Sequence, residues 1–262
     1  LAEDIGAGDI TSELTVPADL QARGSYLARQ SFVLAGIELL PLIFERHDVD
    51  LHILKSSGEV VKAGDVLATI SGPARTLLAC ERVSLNFLQR LSGVATLARK
   101  HVDAIAGTRT KVLDTRKTTP GLRLLEKYAA AAGGATNHRQ GLFDAVLIKN
   151  NHITAAGGVR NALMATEGFS GPVEIEVRTP AELDEALECG AKHLLLDNLT
   201  PEDAREWVRY IDGRATAELS GNIDLRNIGA YAEAGADYIS CGAITHSAIA
   251  VDISFRLELD QR

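Results

Sequence analysis

TKVLDTRKTTPGLRLLEKYAAAAGG, residues Thr110 to Gly134, holds one complete strand-turn-helix step. Val112-Leu113 is a short apolar run that ends at Asp114. A polar turn follows, with Thr115, Arg116, Lys117 and two further threonines. Pro120-Gly121 then opens a helical pattern that closes on Gly133-Gly134. Glycine is common just past a helix, because it takes the left-handed conformation without a Cβ penalty. The same step recurs downstream. Strands read TKVLD, DAVLIK, VEIEV, HLLLD, ATAEL and YISCG, and the helices between them read LRLLEKYAAAA, VRNALMATEG, PAELDEALECG, PEDAREWVRYIDG and LRNIGAYAEAG. Six successive β-α steps imply a parallel sheet with right-handed crossovers. With no Rossmann glycine fingerprint and many small residues, the expectation is a parallel α/β barrel of TIM type rather than an open sheet.

Upstream, from Leu1 to about Gln89, the patterns are short and turn-rich. GEVVKAGDVLATISGPART reads as two strands around a turn at Ala63-Gly64-Asp65, closed by Gly72-Pro73. Leu77 to Leu91, LLACERVSLNFLQRL, has apolar residues at three- and four-residue steps and reads as an amphipathic helix bridging the two regions. The final VDISFRLEL alternates strictly, so a strand over about 251–259 is expected outside the regular series, rejoining the N-terminal sheet. The expected domains are therefore 1–91 and 92–262.

The chain has 262 residues and a formal net charge of −8, with 46% hydrophobic residues. Net acidity argues against nucleic acid as a partner, but leaves room for a local basic pocket. No apolar run approaches the roughly 20 residues needed to cross a bilayer, and no signal-peptide pattern opens the chain. The sequence starts at Leu1, and a few native residues are expected before it. Cys80, Cys189 and Cys241 form no CxxC pair, which suggests a reducing, cytoplasmic setting.

In parallel α/β barrels, function collects at the C-terminal ends of the strands. Those ends carry Asp114-Thr115-Arg116-Lys117, Lys149, Glu176, Asp197, Glu218-Leu219-Ser220-Gly221-Asn222 and Cys241-Gly242-Ala243. The first two strands end in cations, the next two in carboxylates, and the last two in small residues. Each feature alone has a plain structural explanation. Arg116-Lys117 suits a solvated loop, Lys149 a strand end reaching water, and His138-Arg139 a surface pair. Glu174 and Glu176 face one side of a strand and suit an internal ion pair with Arg178 or a lysine. Asn198 or Thr200 would cap the helix near Pro201 better than Asp197, which leaves Asp197 free. Gathered on one rim, these groups describe a bowl. Its cationic side suits a polycarboxylate. Its acidic side suits Mg²⁺ and a phosphorylated sugar, with glycine-flanked turns for the phosphate.

TRKTTPGLR, NHRQGLFDAVLIKNNH, VEIEV, LLLDN, ELSGNI and DYISCGAITHSA, with AEDIGAGDIT and ERVSLNFLQRLSGVAT upstream, resemble in order the quinolinate phosphoribosyltransferase family, also called nicotinate-nucleotide pyrophosphorylase (carboxylating). Asn150 stands where that family often has Asp or Glu, and Asn222 where it often has a second glycine. The resemblance implies an N-terminal α/β sandwich domain, an incomplete barrel, and a homodimer with shared active sites. It implies transfer of phosphoribosyl from 5-phosphoribosyl-1-pyrophosphate to quinolinate in de novo NAD biosynthesis. The products would be nicotinic acid mononucleotide, pyrophosphate and CO₂, with Mg²⁺ required.

By the same resemblance, Arg116, His138, Arg139 and Lys149 surround the quinolinate carboxylates, and Arg82 reaches that site from the partner chain. Thr115, Lys117, Glu176 and Asp197 serve the donor, with Glu176 and Asp197 holding the metal directly or through water. Ser220, Gly221, Asn222, Gly242 and Ala243 cradle the 5-phosphate. Lys117, Lys149, Glu176 and Asp197 would carry the catalysis. Three rivals stay open: a paralogue associated with molybdenum transport, a lyase using Lys149 as a Schiff base, and a catalytically silent phosphoribosyl-binding module.

Overall fold

Residues 1–259 are described by a computed structural model, and they fall into two compact units. The first comprises Leu1–Leu97, Tyr128–Gly134 and the chain from Ala248 onward; the second comprises Ala98–Lys127 and Ala135–Ser247. This division departs from the expected 1–91 and 92–262. The expected boundary lies inside one uninterrupted helix, and Tyr128–Gly134 joins the first unit; the return of the last strand to that unit is as expected.

In chain order the elements are α1 (Ala2–Ile5), α2 (Ile10–Thr15), β1 (Gln21–Ala28), β2 (Phe32–Val33), α3 (Leu39–Phe44), β3 (Asp50–Ile53), β4 (Val60–Val61), β5 (Val66–Pro73) and α4 (Ala74–Ala104). The chain continues with β6 (Lys111–Leu113), α5 (Arg123–Ala132), β7 (Val146–Ile148), α6 (Asn150–Ala156), α7 (Val159–Met164), β8 (Val173–Val177) and α8 (Pro180–Glu188). It ends with β9 (His193–Asp197), α9 (Pro201–Ile211), β10 (Thr216–Ser220), α10 (Ile228–Ala232), β11 (Tyr238–Ser240) and α11 (Ala243–His246), before β12 (Ile253–Glu258). No helix among the described residues is long and apolar enough to cross a membrane.

The first unit is built on an antiparallel sheet of order β12-β1-β5-β3. β1 buries alternate residues, and Tyr26 at its centre is fully buried. The Tyr26 ring lies 5.0 Å from that of Phe255 on β12, and its hydroxyl meets Ser84 Oγ on α4 at 2.8 Å. That pair is how the sheet and the helix share one core with a satisfied polar atom. The two strands expected around Ala63-Gly64-Asp65 are present, but they do not pair with each other. β4 pairs with β2, bringing Phe32 opposite Val61, whereas β5 pairs with β1 and β3. The turn is instead tied to the end of β1, where the Gly64 N–H donates to the Ala28 carbonyl at 2.8 Å. α4 runs well past the expected Leu77–Leu91, because its buried stripe continues through Val94, Ala95 and Ala98.

The second unit carries a six-stranded parallel sheet of order β6-β11-β10-β9-β8-β7. β6, first in the series, lies beside β11, the last. Strands added in sequence and curled back onto the first give this order, so the sheet is a barrel left open between β6 and β7. One parallel bridge, Leu113 to Thr136, extends the β6 side of the opening. Two short helices, α6 and α11, were not separated from loop by the sequence pattern. α10 is shorter than LRNIGAYAEAG suggested, because an Asp224–Asn227 turn occupies its beginning.

Candidate active site

The C-terminal ends of the six strands surround a pocket of ≈ 950 Å³. Thr115, Arg116, Lys117, His138, Arg139, Lys149, Glu176, Asp197, Ser220, Gly221, Asn222, Gly242 and Ala243 all line it. Arg82 lies on α4 in the first unit, outside this set of lining residues.

On the cationic side, Arg116 and Arg139 approach each other. Burial first, and the Arg116 charge second, lower the pKa of Arg139. Arg139 Nη1 donates to the Ala145 carbonyl at 3.0 Å, which leaves its Nε–H buried with no acceptor among the described residues. The Arg116 Nε–H is buried and unmatched in the same way. Unsatisfied buried guanidinium donors beside each other cost free energy unless an anion meets them. Lys149 starts α6, with its N–H donating to His152 Nδ1 at 2.9 Å. Lys117 is anchored through its backbone: its N–H donates to Thr115 Oγ1 at 3.0 Å, and its carbonyl accepts Thr245 Oγ1 at 2.8 Å. Its stem occupies the space beside Gly242, where an added Cβ would fall 2.6 Å from Lys117 Cδ.

His138 lines the pocket, yet both of its ring nitrogens are engaged by the protein. Nδ1 accepts the Arg139 N–H at 2.7 Å, which places the proton of the neutral ring on Nε2. Nε2 lies 3.2 Å from Glu174 Oε2 and 3.5 Å from Glu218 Oε2. Burial pulls the imidazole pKa down, but the Glu174 hydrogen bond and the Glu218 and Glu174 charges raise it overall. Glu218 is pushed up to about 8, by burial first and by Glu174 second. The resemblance placed His138 among the groups holding quinolinate carboxylates. Its place in the pocket wall is compatible with that, and its ring nitrogens meet the Arg139 N–H and two glutamates.

On the acidic side, Arg178 Nη2 lies 2.7 Å from Glu176 Oε1 and 3.7 Å from Asp197 Oδ2. The internal ion pair weighed for Glu176 is therefore present. Asp197 also accepts Ser220 Oγ and Asn198 Nδ2, both at 2.7 Å. Thr200, not Asp197, caps α9 by accepting the Asp203 N–H. Gly221 has φ +100°, and a Cβ there would lie 2.7 Å from the Asn198 backbone N, so the turn tolerates no side chain. Asn222 has φ 52°, a left-handed conformation that asparagine accepts more readily than most residues. This accounts for an asparagine where the family pattern often has glycine.

Among the described residues, one group of three metal-ligating side chains converges: His138, Glu174 and Glu218. Its nitrogen donor makes it a poor match to Mg²⁺, which prefers oxygen ligands. Glu176 and Asp197 offer two carboxylates on the pocket wall, and one or two carboxylates plus substrate phosphates are the usual Mg²⁺ set. These residues fit the ion. The sequence reading did not assign Asn198, Asp224, Arg226, His246 and Ser247 to the site, though they also line the pocket. It treated Arg178 only as an ion-pair partner, although its place directly after β8 is a strand-end position of the kind used for the others.

The sequence profile of the quinolinate phosphoribosyl transferase N-terminal domain matches residues 9–92, and that of the C-terminal domain matches residues 94–256. The chain belongs to the quinolinate phosphoribosyltransferase family. A rice (Oryza sativa subsp. japonica) family member named nicotinate-nucleotide pyrophosphorylase (carboxylating), chloroplastic, is 39% identical, covering 99% of this chain and 76% of its own. A tobacco (Nicotiana tabacum) member named quinolinate phosphoribosyltransferase (decarboxylating) 2a, mitochondrial, is also 39% identical, covering 99% of this chain and 80% of its own. The solved nicotinate-nucleotide pyrophosphorylase from Francisella tularensis superposes with a TM-score of 0.94 at 41% identity, over 98% of this chain and 92% of that one. The family fold and this chain's two-unit architecture therefore coincide along nearly the whole length.

Proposed function

We infer that this chain transfers phosphoribosyl from 5-phosphoribosyl-1-pyrophosphate to quinolinate, giving nicotinic acid mononucleotide, pyrophosphate and CO₂. The observation that carries the reading is the polarity of the pocket. Arg116 and Arg139 present buried, unmatched donors on one side, while Glu176 and Asp197 stand on the other with Lys117 anchored near Gly242. A planar dicarboxylate satisfies the guanidinium donors. Its ring nitrogen is then oriented toward the sugar, and such positioning supplies a large part of the rate.

As the bond between ribose C1 and pyrophosphate breaks, negative charge grows on the leaving group and positive charge on the ring. Lys117 stabilises the first, and Glu176 the second. When bound at Glu176 and Asp197, directly or through water, Mg²⁺ supplies further neutralisation of pyrophosphate charge. Attack by the quinolinate nitrogen leaves a pyridinium; when the 2-carboxylate departs as CO₂ its electron pair stays on ring C2, stabilised by the adjacent positive nitrogen, and a proton from solvent then takes that position. Ser220, Gly221, Asn222, Gly242 and Ala243 supply small side chains and backbone N–H groups for the 5-phosphate.

The working unit is a homodimer in which Arg82 of each chain completes its neighbour's quinolinate site. A cytoplasmic setting agrees with three unpaired cysteines, two of them buried. Product analysis tests the reaction. Quinolinate, the phosphoribosyl donor and Mg²⁺ should give nicotinic acid mononucleotide, and nicotinic acid in place of quinolinate should give none. Absence of product with quinolinate would leave the paralogue or a silent binding module as the reading.

A further inference from the structure

Lys127 and Asp114 are both fully buried, and they form a direct ion pair. The pair lies outside the pocket lining, and the chemistry above makes no use of it. Burying two charges is unfavourable against a well-packed apolar pair, so their presence calls for another explanation.

The Asp114 carboxylate has further partners. One oxygen accepts the Lys127 ammonium and also the His138 backbone N–H, the latter at 2.8 Å. With the Asn137 amide in its satisfied orientation, its nitrogen donates to the other Asp114 oxygen at 2.6 Å and to the Lys127 carbonyl at 2.9 Å. One carboxylate thus joins three pieces of chain: the end of β6, the middle of α5 and the loop that carries Asn137 to Arg139. Arg116 follows Asp114 by two residues, and Arg139 follows His138 by one. These are the two guanidiniums that approach each other in the pocket wall, where burial first and the Arg116 charge second lower the Arg139 pKa. Like charges held close drift apart unless their backbones are fixed, and fixing them in advance reduces the ordering cost of binding a dianion.

We propose that the buried Asp114–Lys127 pair, with Asn137, is a positioning clamp that holds Arg116 and Arg139 at the spacing needed for a dicarboxylate. Asp114, Lys127 and Asn137 act through the arginines and touch no substrate. The clamp is selective. Lys117 has its own anchors in Thr115 and Thr245, so the donor side does not depend on it.

The proposal rests on the transferase reading, and the experiment separates the two. Wild-type turnover with quinolinate and the donor tests the reaction itself. The clamp is tested with the double variant Asp114→Asn/Lys127→Met, which removes both charges together and leaves no lone buried ion. Asn137→Ser is the second variant, and it keeps the ion pair while removing the amide. Tyr26→Phe, in the first unit, serves as a control that loses a buried hydrogen bond far from the clamp in sequence. Folding is followed by thermal unfolding, and ligand affinity by steady-state kinetics with each substrate varied.

Misplacing reacting groups by about 1 Å costs up to about 10²-fold, so the quinolinate KM should rise at least about tenfold in the double variant and severalfold in Asn137→Ser. The donor KM should stay within about twofold, and Tyr26→Phe should move neither constant. If the double variant fails to fold, Asn137→Ser decides. An unchanged quinolinate KM in a folded variant, or equal losses for both substrates, overturns the clamp even where the wild type is fully active.

Discussion

Arg178 and Glu176 are joined at 2.7 Å at the C-terminal end of β8, inside the pocket wall. The guanidinium also reaches Asp197 at 3.7 Å, so the two carboxylates share one counter-charge at the pocket wall. Both line the pocket in which the proposed donor and Mg²⁺ would sit. Glu176→Gln and Asp197→Asn keep shape and remove charge. Each should lower kcat by about 10²-fold or more, the usual cost of losing one preorganised electrostatic group. Quinolinate affinity, measured by calorimetry without the donor, should be nearly unchanged. Wild-type turnover in both would make the carboxylates simple partners of Arg178.

Arg139→Ala should weaken quinolinate by roughly 2–5 kcal/mol, the range for truncating one side of a desolvated charge pair. Donor affinity should hold near its wild-type value. Calorimetry with each ligand separately checks this, and equal loss of both ligands would remove Arg139 from the dicarboxylate side.

Glu218 gives the fold a pH dependence with a definite sign. Its carboxyl is raised to about 8 in the folded chain by burial and by Glu174. In the unfolded chain a glutamate titrates near about 4.3. Between those values the unfolded state has lost a proton that the folded state retains, so this contribution to stability is complete at low pH and drains away as pH rises toward 8. The slope is at most about 1.4 kcal/mol per pH unit. Glu218→Gln removes the titration, so its Tm should rise relative to wild type between about pH 5 and pH 8, by calorimetry. A Tm difference that stays constant across that range would mean that Glu218 is ionised in the folded chain.

Arg82→Ala and Lys117→Ala should each be inactive alone if Arg82 serves the neighbouring chain. After subunit exchange, a mixed dimer has one site with both lesions and one with neither. Random pairing of equal amounts then restores roughly a quarter of wild-type sites. Exchange confirmed by mass, with no return of activity, would place Arg82 in its own chain's function.

The rim of the pocket was readable because each barrel strand ends where its apolar run meets a polar residue, as at Asp114, Lys149 and Asp197. Side-chain partners were not readable in the same way. Lys127 sits in a helical pattern where a lysine normally faces water, and only the fold shows it fully buried against Asp114. His138 pairs with Glu174 and Glu218 on two later strands, a convergence that depends on barrel closure. The β2–β4 pairing was missed because register between two-residue strands is set by distant packing, not by local alternation. α6 was missed because Asn150-Asn151-His152 has weak helix propensity, and its start depends on the His152 ring accepting the Lys149 N–H.

The strand order β12-β1-β5-β3 also bears on how the chain is made. Ala28 pairs with Ile253 and Arg23 with Glu258, so β1 finds one of its neighbours only after the entire second unit has been synthesised. Domains generally fold as they emerge, N-terminal first, but here the second unit has all its strands before the first unit does. Until β12 arrives, β1 exposes a bare edge to the crowded cell, the kind of edge that recruits foreign strands. The nascent chain is thus in need of chaperone protection late in synthesis, and at a strand made long before rather than at the newest one.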